Sequence, residues 1–357
     1  MNTKEDYICG VPFKHLEVGD HDHYFMCCAS WLKKHLVNKS SPKEAWESKE
    51  ANDIRDSILD GSYKYCDSQL CPYLNQIEHF GTAKVFKQSP FWLKKNLPDT
   101  LKSKIQQHKE KKLKPSIIQF SFDRTCNLKC PSCRVEVFAA NREKINEVQL
   151  TIDLLEQQYG DSAEYLYITG SGDPFVSIGF RNFLRNFDKS KWPKVRNIHL
   201  HTNATKWNKK MWDSMPQIHH LVKTCEISID AATKETYENQ TRLGGNWDEL
   251  IENLYFIETI PFLKNIKTSF VVQQKNYKEI KLFYDLMMKI FKKKADVFYG
   301  KVTNWGTFSE EEFKQQEVWN PNHPEHKEFL KEIRRTLPAK QAFTNTQELL
   351  LPQNKLI

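Results

Sequence analysis

No basic start followed by an apolar run opens this sequence, MNTKEDYICGVPF, and no stretch reaches the roughly 20 apolar residues of a membrane-spanning helix. The expectation is a cytoplasmic chain with neither export signal nor membrane anchor. An even cysteine count is also missing. There are nine, and in a chain without an export signal clustered cysteines point to metal ligands or catalysts rather than a disulfide framework. The basic runs at Lys109–Lys114 and Lys292–Lys294 lack the interleaved aromatics of a nucleic-acid groove. The formal net charge of +8 therefore reads as a solvated basic surface or as a docking face for an acidic electron donor. Internal repeats are absent. The 357 residues, 39% hydrophobic and 27% charged, suit a globular chain with one large domain and a smaller one.

Residues 1–90 carry five of the cysteines around a helical middle. Ser41-Pro42-Lys43-Glu44 is a helix start, with Ser41 as cap, Pro42 in the first turn and Glu44 completing a capping box. Gly61 closes the following helix, Ala51–Leu59. Residues 91–114 read as a polar helical linker. From Ile117 the texture changes to alternating strands and helices. The strand candidates are Ile117–Phe122, Tyr165–Thr169, Asn197–Thr202, Cys225–Asp230, Lys267–Gln273 and Asp296–Lys301. Helical patterns at Ile145–Tyr159, Trp247–Thr259 and Tyr277–Lys292 lie between them. Six strands separated by helices predict right-handed βαβ units and a parallel sheet over 115–305. That is an α/β fold, either an open doubly wound sheet or a partial barrel. In such barrels chemistry sits at the C-terminal ends of the strands. Cys126, Ser171-Gly172-Asp173, Asn203 and Asp230 all follow or end strands. Residues 306–357 read as a helix and an irregular tail.

The sharpest signal is Cys126-Asn-Leu-Lys-Cys130-Pro-Ser-Cys133. Three thiolates on a loop after a strand can wrap one face of a metal centre. A cubane cluster normally takes four cysteines, so three leave one iron open to a substrate or cofactor. A zinc site borrowing a distant fourth ligand is the alternative.

The CxxxCxxC motif after the first strand resembles that of the radical S-adenosylmethionine (radical SAM) superfamily. The resemblance implies a partial (β/α)6 TIM-like barrel. It also implies a 4Fe–4S cluster on Cys126, Cys130 and Cys133 whose open iron chelates S-adenosylmethionine. One electron then cleaves the sulfonium, and the 5′-deoxyadenosyl radical abstracts hydrogen from a substrate. Thr169-Gly170-Ser171-Gly172-Asp173-Pro174 resembles the family's Gly-Gly-Glu segment, which holds the methionine amino group; Ser171 and Asp173 replace a Gly and the Glu. Thr202-Asn203-Ala204 resembles a third-strand segment that usually ends in Thr-Asn-Gly. Ile227-Ser228-Ile229-Asp230-Ala231-Ala232 with Tyr237 and Arg242 resembles the fourth-strand segment of the branch with auxiliary clusters. There Ser228 and Asp230 would lie near the ribose and Arg242 would pair with the methionine carboxylate. Ser132 departs from the aromatic residue common before the last cysteine. Cys225 starts a strand and reads as core.

The remaining cysteines are Cys9, Cys27-Cys28, Cys66 and Cys71. Two distant single sites and a CxxxxC pair can close one four-ligand centre, with zinc or buried free thiols as alternatives. With Trp31, the run Glu44-Ala45-Trp46 through Arg55, and Gly61 through Pro72, this stretch resembles the SPASM or twitch modules, which carry a second, auxiliary 4Fe–4S cluster. Those modules usually follow the barrel; here the stretch precedes it. Either Cys27 or Cys28 serves as ligand, and the family's lone cysteine at that point favours Cys27. The resemblance implies a small-molecule or peptide substrate and an electron donor such as flavodoxin or ferredoxin. It names no general base. The competing classes are a zinc-ordered nucleic-acid-binding protein and an iron–sulfur electron carrier without turnover.

Overall fold

The computed structural model describes residues 2–36, 39–81, 89–337, 339 and 341–344. The chain divides into two compact units. The first holds Met1–Asp123, Asn146–Gly170 and Asp188–Arg196; the second holds Arg124–Ile145, Ser171–Phe187 and Asn197–Ile357.

The strands of the first unit are β1 (Tyr7–Cys9), β2 (His15–Val18), β3 (Tyr24–Phe25), β4 (Phe91–Leu93), β5 (Ile117–Phe120) and β6 (Tyr165–Ile168). β1 and β4 form a small antiparallel pair. β2 pairs parallel with β5 and antiparallel with β3, and β5 pairs parallel with β6. The helices are α1 (Pro42–Glu47), α2 (Lys49–Leu59), α3 (Pro72–Phe80), α4 (Asp99–Lys109) and α5 (Arg142–Tyr159), whose first residues belong to the second unit. Ser41 caps α1 by accepting the Glu44 N–H, as its sequence predicts. The reciprocal half of the capping box is not made: the Glu44 carboxylate turns to the N–H and hydroxyl of Ser40, at 2.8 and 2.6 Å. Ser48 then ends α1 and caps α2, and Gly61 stands just beyond α2 at φ +85°, the left-handed turn that glycine adopts without strain. Arg55 of α2 is buried, stacked over Trp46 at 4.2 Å, and its Nε donates to the Pro12 carbonyl.

The strands of the second unit are β7 (Asn197–Thr202), β8 (Thr224–Ser228), β9 (Asn265–Val272), β10 (Ala295–Lys301) and β11 (Ala342–Thr344). They form a wholly parallel run in that order. Its helices are α6 (Ile178–Arg185), α7 (Lys209–Asp213), α8 (Lys234–Thr236), α9 (Trp247–Glu258), α10 (Ile280–Phe291), α11 (Glu310–Gln316) and α12 (His326–Thr336). This is the α/β class the alternation predicts. Residues beyond about 337, expected to be irregular, include β11, which joins the edge of β10.

The two faces of this sheet differ. Leu200, Cys225, Ile227, Ile266 and Val297 are buried at alternate positions, the apolar face that α-helices cover in such folds. His199, His201, Thr224, Glu226, Ser228 and Lys267 occupy the positions between and are only partly buried. A parallel sheet is normally apolar on both faces. A polar, solvent-reached face on one is therefore a place to look for function. Among the described residues, no helix is long and apolar enough to cross a membrane.

Candidate functional site

The cysteine loop belongs entirely to the second unit, as do the side chains that meet it. Cys126 is tied at its backbone to the Phe138 carbonyl at 3.0 Å. The N–H groups of Cys133 and Arg134 both return to the Cys130 carbonyl, at 2.9 and 3.0 Å, and curl the loop into a turn. Fully buried Leu128 anchors it between buried Cys126 and Cys130, while Cys133 is exposed.

Each of the three sulfurs accepts an N–H from a different side chain. Asn203 Nδ2 donates to Cys126 Sγ at 3.5 Å, Arg242 Nη1 to Cys130 Sγ at 3.5 Å, and Arg134 Nη2 to Cys133 Sγ at 3.6 Å. Burial pushes the Cys130 thiol up to about 11, against the pull of Arg242, and raises Cys126 as well. Three free thiols, two of them buried and all facing N–H donors, suit a group that takes them as thiolates.

The segment expected to hold an amino group is built round Asp173, which is wholly buried. Its Oδ2 accepts from the Thr202 hydroxyl at 2.7 Å and the Asn203 N–H at 2.8 Å, and its Oδ1 from the Phe175 N–H at 2.9 Å. The carboxylate is thus spent on joining its own turn to the end of β7. Asn203 in turn accepts from the N–H and hydroxyl of Thr205 and donates to Asn127. Ala204 follows at φ +61°, a left-handed conformation that explains why the matching segment usually ends in glycine.

Asp230, also at positive φ, pairs with Arg242 at 2.7 Å and accepts the Val271 N–H at 2.7 Å. Arg242 is buried. Burial opposes its charge, but Asp230 and the Cys130 sulfur hold its pKa above the ordinary range. Between them runs a π-helical turn, Tyr237–Thr241, a conformation that recurs at functional sites. It packs Tyr237 against Gly245, where a Cβ would fall 2.5 Å from the tyrosine ring. The Tyr237 hydroxyl is buried and, among the described residues, without a hydrogen-bond partner, in the field of Arg242, Cys130, Asp230 and Asp173.

Ser228 faces the polar side of the sheet and meets His201 Nε2 at 3.0 Å. Below it, Glu226 pairs with Lys267 at 3.0 Å and accepts the Ser269 hydroxyl. Burial opposes ionisation of Glu226, yet His201, Lys267 and Ser269 together hold its pKa down to about 2. Burial lowers His199 to about 4. Apart from Ser228, reading for ligand motifs missed this cluster; the signal was the alternation in Asn197-Ile-His199-Leu-His201, apolar at one parity and polar at the other. Arg134 was missed too, although a cation directly after the last loop cysteine was in plain view. Cys225 is buried core, as its sequence suggests. In Val302–Thr307 the Asn304 side chain caps the turn, and Trp305 is 63% exposed.

In the first unit, Cys9, Cys27, Cys66 and Cys71 line one cavity walled by Trp31, Tyr73 and Phe91. Cys28 is exposed and does not line it. Burial pushes Cys66 up to about 12 and raises Cys9, Cys27 and Cys71. Backbone N–H groups at Val11, and at Leu74 and Tyr73, offset this at Cys9 and Cys71. Among the described residues, no three His, Cys, Asp or Glu side chains are arranged to grip a single metal ion.

No protein-family model and no curated protein matches the chain. Solved structures do. Streptococcus suis SuiB bound to precursor peptide SuiA is 16% identical over 86% of this chain and 66% of that one, with a TM-score of 0.46. The protein anSMEcpe with bound AdoMet and the Cp18Cys peptide is 15% identical over 62% of this chain and 58% of that one, with a TM-score of 0.44. TYW1 with a lysine–pyruvate adduct bound is 12% identical over 55% of this chain and 68% of that one, with a TM-score of 0.35. The chain thus spans less than two thirds of the length of the SuiB and anSMEcpe chains.

Proposed function

We propose that this chain is a cytoplasmic radical SAM enzyme with a partial (β/α)6 barrel, a SAM-binding 4Fe–4S cluster on Cys126, Cys130 and Cys133, and an N-terminal SPASM- or twitch-like module holding an auxiliary 4Fe–4S cluster. The observation that carries the reading is the loop of three free cysteines, each sulfur met by its own N–H donor. When bound, the first cluster supplies the electron that cleaves S-adenosylmethionine, and the adenosyl radical then takes hydrogen from the substrate.

The residues divide the remaining work. Ser171 and Gly172 present backbone to the methionine amino group. Asp173, which accepts three hydrogen bonds from the chain, acts by holding that turn and Asn203 in register. Ser228 and Asp230 stand toward the ribose. Arg242 shares its guanidinium between Asp230 and the methionine carboxylate. The polar face formed by His201, Glu226, Lys267 and Ser269 receives the substrate, a hydrogen-bonding small molecule or peptide rather than an apolar one. Cys9, Cys27, Cys66 and Cys71 hold the auxiliary cluster. Four free thiols line one cavity, the ligand number a cubane cluster takes. A donor of the flavodoxin or ferredoxin kind supplies the electron.

The test is anaerobic purification with iron and sulfide analysis, then dithionite and S-adenosylmethionine. We expect about eight irons per chain, falling to about four in the Cys126/Cys130/Cys133→Ala triple variant, as two four-iron clusters require. We also expect 5′-deoxyadenosine from the wild type only. Zinc in place of iron after anaerobic reconstitution, or an intact cluster that yields no 5′-deoxyadenosine, would overturn the reading.

A further inference from the structure

Of the three side chains that donate to the loop sulfurs, two have their polarity offset elsewhere. Asn203 is neutral. Arg242 is paired with the Asp230 carboxylate at 2.7 Å, so that pair carries no net charge. Arg134 differs. It is 9% exposed, and among the described residues no carboxylate is paired with it. Its Nη1 donates to the Arg124 carbonyl at 2.8 Å, and its Nη2 to the Ser171 carbonyl at 2.7 Å and Cys133 Sγ at 3.6 Å. Two backbone carbonyls fix the plane of the guanidinium, so its approach to sulfur is built in. Its two carbonyl partners are neutral, so the side chain brings an unoffset positive charge up to the Cys133 sulfur.

Resting on the reading above, we infer that Arg134 is a positioning residue that sets the reduction potential of the cluster on Cys126, Cys130 and Cys133 and ties that cluster to the Ser171–Asp173 segment. Reduction moves one electron from the external donor onto the cluster and adds one negative charge beside a fixed cation. The cation stabilises the reduced state more than the oxidised one and raises the potential. The shared donor atom Nη2 also links Ser171 to Cys133, so a ligand on the 171–173 turn is felt at the cluster through this side chain.

The experiment is an electron paramagnetic resonance redox titration of the full chain, anaerobically reconstituted, with and without S-adenosylmethionine. It compares wild type, Arg134→Gln and Arg134→Lys. Arg134→Gln should keep its iron and sulfide but be about tenfold harder to reduce, a fall of about 59 mV for one electron. Arg134→Lys keeps the charge but not the planar fork and should fall between. An unchanged midpoint in iron-replete Arg134→Gln overturns the inference while leaving the enzyme reading intact. A wild type that takes up no iron overturns the reading itself. Should Arg134→Gln lose its cluster, pulsed resonance on wild type carrying 15N-arginine replaces it. Couplings from two arginines to the reduced cluster are then expected, and one or none overturns the inference.

Discussion

Tyr237→Phe probes the surroundings of Cys130 with a change of one oxygen. The hydroxyl of Tyr237 is fully buried and has no hydrogen-bond partner among the described residues, while Arg242, Cys130, Asp230 and Asp173 all act on it. A buried hydroxyl left unpaired costs about 1–3 kcal/mol. Removing it from the metal-free chain should therefore stabilise the fold by about 1 kcal/mol, raising the thermal midpoint by about 2 °C. The ring itself stays, so its packing against Gly245 and Trp247 is unaltered. The assay is differential scanning calorimetry of wild type and variant, both metal-free, under anaerobic conditions. A higher midpoint for Tyr237→Phe is the expected result. If Tyr237→Phe destabilises the metal-free chain, the hydroxyl has a partner after all and the reasoning fails.

Three further outcomes follow from the geometry. Cys27→Ala should remove the irons of the N-terminal centre, whereas Cys28→Ala should keep them, because Cys27 lines the cavity and Cys28 does not; iron analysis in the Cys126/Cys130/Cys133→Ala background reads this directly. Glu226 is held at about 2, below its ordinary 4.5, so its stabilising effect is complete above pH 4.5 and lost as the pH falls towards 2. That effect is about 3 kcal/mol, and urea midpoints should show Glu226→Gln shedding much less stability than wild type across that window. Gly245→Ala drives a methyl into the Tyr237 ring and should cost about 1–3 kcal/mol by thermal unfolding, with loss of cluster loading; a neutral result would mean that the ring is free to move aside.

Much of the second unit was legible in the sequence because its strands are long enough to carry a period. Asn197–Thr202 was read to the residue, and β8, β9 and β10 to within two residues. β2, β4 and β11 were not: β4 and β11 have three residues each, and β2, as long as β5 and β6, stands before the run of alternating strands and helices that made those two legible. The cysteine loop announced itself through spacing. The donors to its sulfurs did not all do so: Arg134 stands next to Cys133 in the sequence, but the Arg124 and Ser171 carbonyls that aim it are brought there by the fold. Cys27 and Cys28 were equivalent as letters, and only the folded chain separates a cysteine that lines the cavity from an exposed one. The Glu44 carboxylate shows the same limit on a smaller scale, choosing Ser40 over Ser41.

The two-faced sheet of the second unit also bears on how such a chain can change over time. Stability is invested in one parity, at Leu200, Cys225, Ile227 and Ile266. Apart from Glu226 and the His201, Lys267 and Ser269 groups that hold it, the other parity, at His199 and Ser228, makes contacts that later substitutions can rewrite at little cost to the core. A lineage could therefore change what that face touches by drifting at such positions, while the scaffold and the cysteine loop were inherited unchanged.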